Sequence, residues 1–519
     1  MIPGKRLGIL VVVVLLALAA GCSDDDPTTS PPATSDAPLT PDQQPSAPPT
    51  TDPSATASSS PTVSSSTTAS ATASSNPVDA LAGVGDSFYP LLGNGGYDVV
   101  HYDIDLDVAV AENSIDAVTT VTAVATQDLT TFNLDFHGLD VTEVTVDDRR
   151  AEYSRNGQEL TIRPADSITS GTTFEVAVTY SGIPQPVEDP GVGLVPLGWH
   201  ANEGVIYTVS EPSGGMTWYP GNHHPTDKAT FTFHLTVPDG VTAAATGLLT
   251  NESSAAGRTT TTWRMDDPMA SYLAAVYIGD FERHEQRLPD GLLIRDYLPK
   301  GADASMLDRV RVAIDAIGYF EDILGPYPFD AYGTIVMPFP LGYALENQTL
   351  SIHGPDRIGS YVIAHEVLHQ WIGNSVTLDD WSETWLHEGF AHYLSLMFIA
   401  DRNDLDINAV MAGEHRDLVE TGTTPPGAIE IHELFDTNSV YRRGALTLHA
   451  LRTQVGEEQF LAILRTHYDR AAGGNTNTDA FLGIVGDIGG AEAVAVVRAW
   501  LFDPEMPALE SPLTPVASR

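Results

Sequence analysis

The 519-residue chain holds a single cysteine, Cys22, so no internal disulfide can form. Positive charge is scarce too. Lysine occurs only at Lys5, Lys228 and Lys300, and arginine supplies the rest of 25 basic residues against 69 acidic ones. The formal net charge of −44 repels a phosphate backbone and excludes nucleic acid as a partner. The same acidity favours solubility and argues against docking on anionic lipid by charge alone. After Ile9–Ala20 there is no second long apolar run, so no further membrane span is expected. The length suits two or three domains with sizeable cores.

What is present centres on Tyr361–Tyr393. This run opens with His365-Glu366-Val367-Leu368-His369, the H-E-x-x-H pattern. Residues four apart share a helix face, so both imidazoles can aim at one point with Glu366 beside it. Two neutral imidazoles suit Zn²⁺, which keeps a position open for water in catalytic sites. A third ligand is available at Glu388, after an 18-residue gap, in a stretch whose Leu386, Phe390 and Leu394 follow helical spacing. Two histidines and a glutamate form a catalytic zinc set. Glu366 is then the general base, and one zinc ion per chain is expected. Glu383 and Asp380 are candidates to hold the outer nitrogens of the histidines. The plain alternative is a surface helix with polar residues at i and i+4.

The N-terminus reads as an export segment over residues 1–22: Lys5 and Arg6, an apolar run, then Ala19-Ala20-Gly21-Cys22. Small residues directly before a cysteine resemble a bacterial lipoprotein signal-peptidase site, although Ala19 stands where Leu is usual. Cys22 is then the lipid attachment point. The expected place is the outer face of the cytoplasmic membrane, with ordinary secretion by cleavage near Ala20 as the alternative. Residues 23–82 are Ser, Thr, Pro, Ala and Asp with almost no large apolar side chain. They are expected to form a disordered tether.

From Gly93 the pattern changes. Tyr102, Ile104, Leu106 and Val108 alternate with polar residues, as in a half-exposed strand. Further strands are predicted at 117–125, 132–136, 141–146, 159–162, 174–180, 229–237, 259–265 and 273–278. After Leu307 a helical period takes over, with a strand at 334–337. Helices are predicted at 404–420, 440–455, 457–471, 478–487 and 490–502. On residue chemistry alone, the Glu211–Pro220 loop is a strand connection. Likewise Glu346 and Asn347 cap a turn, and Tyr441 is a packing residue.

Taken together, these pieces resemble the aminopeptidase N-like zinc metallopeptidases, the gluzincins of peptidase family M1, over roughly Gly83 to Leu501. The zinc signature carries most of the resemblance. Tyr343-Ala344-Leu345-Glu346-Asn347 stands where the family has G-A-M-E-N. Tyr441-Arg442-Arg443-Gly444-Ala445 matches its tyrosine segment, and Glu211-Pro212 with Trp218-Tyr219-Pro220 matches a loop reaching the site. Tyr272-Leu273 through Gly279-Asp280-Phe281 matches the strand closing the first domain. His387 and His392 depart from the pattern.

The resemblance implies a saddle-like antiparallel β-domain at 83–283. A thermolysin-like, mainly α-helical zinc metallopeptidase domain follows at 284–505, with a tail at 506–519. It also implies removal of N-terminal residues from peptides with a free N-terminus. In that reading Tyr441 donates to the oxyanion and Glu346 and Glu211 grip the α-ammonium. Asn347 and the backbone near Ala344 hold the peptide extended. Larger members add a helical domain that encloses the site; here the sequence stops soon after the catalytic domain, so a more open site is expected. Two rival readings are a thermolysin-like endopeptidase and a lipoprotein that only binds. Glu346 in its Ala-Leu-Glu-Asn setting argues against the first, the full base-and-ligand set against the second.

Overall fold

Strand Tyr97–Ala109 shows how the sequence builds the first domain. Tyr97 and Val99 are buried, then the phase slips by one and Tyr102, Ile104, Leu106 and Val108 are buried. The slip coincides with a bulge between Val99 and His101 against strand Ser114–Ala125. This computed structural model describes residues 82–193 and 195–509. The readings on residues 1–22, on the tether up to residue 81 and on Cys22 lie outside the described residues, as does the tail beyond 509.

The large sheet runs, edge to edge, Leu248–Ala255, Arg258–Ala270, Lys228–Pro238, Tyr97–Ala109, Ser114–Ala125, Thr173–Gly182, Asp140–Val146 and Arg149–Arg150. It departs from a purely antiparallel arrangement at one place. Tyr97–Ala109 pairs in parallel with Lys228–Pro238, His101 facing Thr230. The intervening chain crosses over the domain before it returns. A second sheet carries Thr242–Ala245, Val276–Gly279, Val205–Val209 and Gly198–Asn202. Val205–Val209 is buried along its whole length and leads directly into the loop bearing Glu211.

The second domain begins earlier than residue 284. Strand Phe281–Arg287 pairs with Leu293–Pro299 in the next sheet, so the first domain ends at Gly279. That sheet continues through Thr334–Val336 and Ser351–His353 to an edge strand, Ala344–Leu345. Around it pack α1 (Ala304–Val310), α2 (Val312–Leu324), α3 (Ser360–His369), α4 (Trp385–Arg402), α5 (Ile407–Thr421), α6 (Arg443–Val455), α7 (Glu457–Ala471) and α8 (Thr478–Phe502). Gly490, at φ 81°, breaks α8 between the two helices predicted there. Before it, Phe481, Ile484 and Val485 are buried; after it, Val497 and Leu501.

The two domains form one compact unit. Lys228 is one of its fasteners. Its Nζ donates to the carbonyls of Asn374 (3.3 Å), Ser375 (2.8 Å) and Gly474 (2.8 Å). Burial pushes this ammonium down to about 7. The Tyr272 hydroxyl donates to the Gly373 carbonyl, and Trp381 N donates to Asp86.

Candidate active site

α3 presents one edge to the core through Ile363, Ala364, Val367 and Leu368 and turns His365, Glu366 and His369 the other way. Trp371, just past its end, donates to the Gly325 and Pro326 carbonyls after α2 and so ties the two helices together. α4 then brings Glu388 across. His365 Nε2 lies 3.0 Å from Glu388 Oε2 and 3.1 Å from His369 Nε2, and His369 Nε2 lies 3.5 Å from Glu388 Oε2. Three atoms each 2.0–2.1 Å from one tetrahedral centre sit about 3.3 Å apart. The triangle therefore fits a zinc-sized ion. His369 Nδ1 donates to the Ile372 carbonyl at 3.1 Å, which turns its Nε2 toward the other two ligand atoms.

Neither Glu383 nor Asp380 holds a ligand histidine. Glu383 accepts from Thr478, while Asp380 caps its own turn and accepts from Ser87. Both lie in the stretch before α4, where free backbone N–H groups and nearby hydroxyls claim them.

These atoms open onto a cavity of about 180 Å³. Glu211, Ala344, Glu346, Glu366 and Tyr441 line it, with Val192, Leu197 and Phe435 as apolar wall. Four carboxyls line this space and, among the described residues, no lysine or arginine does. Burial, then repulsion from Glu346 and Glu388, raises the Glu211 carboxyl well above the usual range. Glu366 and Glu346 are raised as well, burial again first. Burial alone would raise Glu388 and lower His369. Their mutual attraction outweighs it, holding Glu388 below the usual carboxylate range and pushing His369 up to about 10.

Glu346 is placed through its backbone. Its carbonyl accepts from Gln370 Nε2 (2.9 Å) and Asn374 Nδ2 (2.8 Å), residues that follow the histidine pair directly. Its Oε1 is buried without a partner among the described residues. Glu211 enters from the β-domain, joined to Pro212 by a cis peptide bond. Its loop is pinned where Ser213 donates to Asp189, which also accepts from Tyr89. Asn347 does not reach the cavity. Its Oδ1 accepts from the Tyr277 hydroxyl and its Nδ2 donates to the Leu273 carbonyl, so it ties the domains together instead of touching a peptide.

Tyr441 sits in a π-helical turn, Thr437–Arg442, capped by Asp436. Its ring stacks on His365, 5.9 Å between centroids at 12°. Burial and four nearby glutamates raise its hydroxyl, so it keeps its proton. Reasoning from sequence missed what sets this distance. An ideal Cβ on Gly389 would fall 2.9 Å from Gly444 Cα, so α4 and α6 cross backbone to backbone. Gly389 follows Glu388 and Gly444 follows Tyr441 by three; the spacing of glycines after both site residues was the available signal. Arg443 was missed too. It is fully buried and donates to the Trp500 and Asp503 carbonyls, anchoring the tyrosine turn to the end of α8. His392 meets the Tyr361 hydroxyl, whose ring leans on His365. Among the described residues, nothing gives His387 a partner for either ring nitrogen.

Two family models match the chain. The peptidase M1 N-terminal domain matches residues 99–273, and the peptidase family M1 domain matches residues 309–500. An M1 zinc metallopeptidase from Deinococcus radiodurans is 33% identical, with a TM-score of 0.77 over 83% of this chain and 99% of that one. The chain belongs to peptidase family M1. A mutant form of the Deinococcus enzyme bound to a Tyr-Ser-Ala substrate superposes with a TM-score of 0.76 at 32% identity, covering 83% of this chain and 100% of that one. Aminopeptidase M1-A of Oryza sativa subsp. japonica is 25% identical over 76% of this chain and 48% of its own length. The chain thus spans about half the length of that curated relative. Within the M1 family the two-domain form is represented by solved structures of nearly this extent.

Proposed function

We propose that this chain is a zinc-dependent aminopeptidase that removes N-terminal residues from peptides. The observation that carries this is the cavity charge. Four buried carboxyls with no lysine or arginine among them call for two cations: a metal at the His365–His369–Glu388 triangle, and an ammonium near Glu346 and Glu211.

His365, His369 and Glu388 would hold a zinc ion, which would acidify a water and polarise a carbonyl. Glu366 takes the proton of the attacking water and returns it to the leaving amine. Tyr441, protonated and stacked on His365, donates to the oxyanion as charge develops there. Glu346 and Glu211 hold the free α-ammonium, which places the first peptide bond at the metal and sets the register. Ala344–Leu345 is an edge strand lining the same cavity, suited to receive an extended peptide along its backbone.

The test is zinc content together with hydrolysis of an aminoacyl chromogenic substrate and its N-acetylated form. One zinc per chain, with cleavage of the free form only, is expected. Equal cleavage of both would make the protein an endopeptidase, and zinc without hydrolysis would make it a binding protein. Export with lipid attachment at Cys22 belongs to the same proposal, supported by the sequence of residues 5–22. Cys22→Ser should release the protein from the membrane fraction; unchanged retention would refute the anchor.

A further inference from the structure

A second cavity, about 450 Å³, lies at the junction of the two domains, away from the residues described above. One wall is the outer sheet edge of the β-domain, with Leu249 and Trp263. The other is strand pair Phe281–Arg287 and Leu293–Pro299. In that pair Arg283 faces Tyr297, Glu285 faces Arg295 and Arg287 faces Leu293, so all six lie on one face.

Arg295 is 1% exposed. Its Nη1 donates to the Ala245 carbonyl (3.2 Å) and its Nη2 to Thr349 Oγ1 (3.0 Å), with the guanidinium over the Trp263 ring at 5.1 Å. Both partners are neutral, and the third group beside the guanidinium, the Tyr297 hydroxyl, is neutral too. Glu285, the acid across the strand pair, turns instead to Arg283 Nε at 3.5 Å. A buried cation without an anionic partner is costly, and a chain with 69 acidic residues offers many ways to neutralise it. Here Arg283, Arg287 and Arg295 line one cavity with a single carboxylate, Glu285, among them.

We propose that this cavity binds a small oxyanion of the phosphate or carboxylate class. Arg283 and Arg287 supply the donors at the rim, and the buried Arg295 charge behind them, held by neutral groups only, favours the anion. The anion provides the counter-charge that the protein withholds.

The test is calorimetric titration of the zinc-loaded enzyme at constant ionic strength and pH, with inorganic phosphate in one arm and succinate in the other. Saturable binding of one equivalent in at least one arm is expected. Arg283→Gln/Arg287→Gln, with both changes on an exposed strand, should weaken it at least tenfold and leave aminoacyl hydrolysis unchanged. Arg295→Met, which removes the buried charge, should weaken it as well. No saturable binding in either arm overturns the proposal. So does binding that persists at full strength in the double variant, because the anion then sits elsewhere, such as at the metal.

Discussion

Gly389→Ala should damage this enzyme out of proportion to one methyl group. The new Cβ would sit 2.9 Å from Gly444 Cα and 3.0 Å from Gly444 C, both backbone atoms. Ordinary carbon contacts lie near 3.5–4.0 Å, so α4 and α6 must separate by roughly 0.6–1 Å. Overpacking of that kind costs about 1–3 kcal/mol. The larger effect falls on catalysis. Glu388 is the preceding residue on α4, and Tyr441 lies three residues before Gly444. A displacement near 1 Å between a ligand and an oxyanion donor costs on the order of 10²-fold in rate. The assay is thermal unfolding plus kcat and KM on an aminoacyl chromogenic substrate. Gly318→Ala is the control. It is an exposed glycine inside α2 with open space for 4 Å around the place a methyl would take, so it should gain about 0.5–1 kcal/mol and keep full turnover. If Gly389→Ala melts and turns over like wild type, the close crossing does not set the site.

Other outcomes follow from the same geometry. Glu366→Gln should bind zinc normally and lose about 10²–10⁴ in kcat, read by metal analysis and steady-state kinetics. Tyr441→Phe should depress kcat far more than it raises KM, because its hydrogen bond forms only as the oxyanion develops. Glu346→Gln should raise KM for free peptides and narrow their advantage over N-acetylated ones. Lys228→Met removes a donor shared by three backbone carbonyls, of which those of Ser375 and Gly474 keep a second donor, and should cost about 1–3 kcal/mol in denaturant unfolding.

Much of this was legible because local chemistry fixed it. The i, i+4 histidines and the periodic strands need no knowledge of distant residues, and α7 falls at the residues its periodicity predicts. What escaped depends on partners far apart in the chain. The parallel pairing of Tyr97–Ala109 with Lys228–Pro238 carries no local mark, since a strand's alternation is the same in either direction. Asn347 looks like a substrate contact beside Glu346, but Tyr277 and Leu273 claim it from the other domain. In the sequence Lys228 is only a rare residue type; in the fold three carbonyls from the catalytic domain surround it. The Gly389–Gly444 crossing joins residues 55 apart and shows only in three dimensions.

The central claim is that His365, His369 and Glu388 hold one metal ion, and the most direct measurement is zinc bound per folded chain in wild type and in His369→Ala. The account expects one equivalent in wild type and almost none in the variant. A wild-type chain that folds yet takes no zinc, or a variant that keeps its full equivalent, would contradict it.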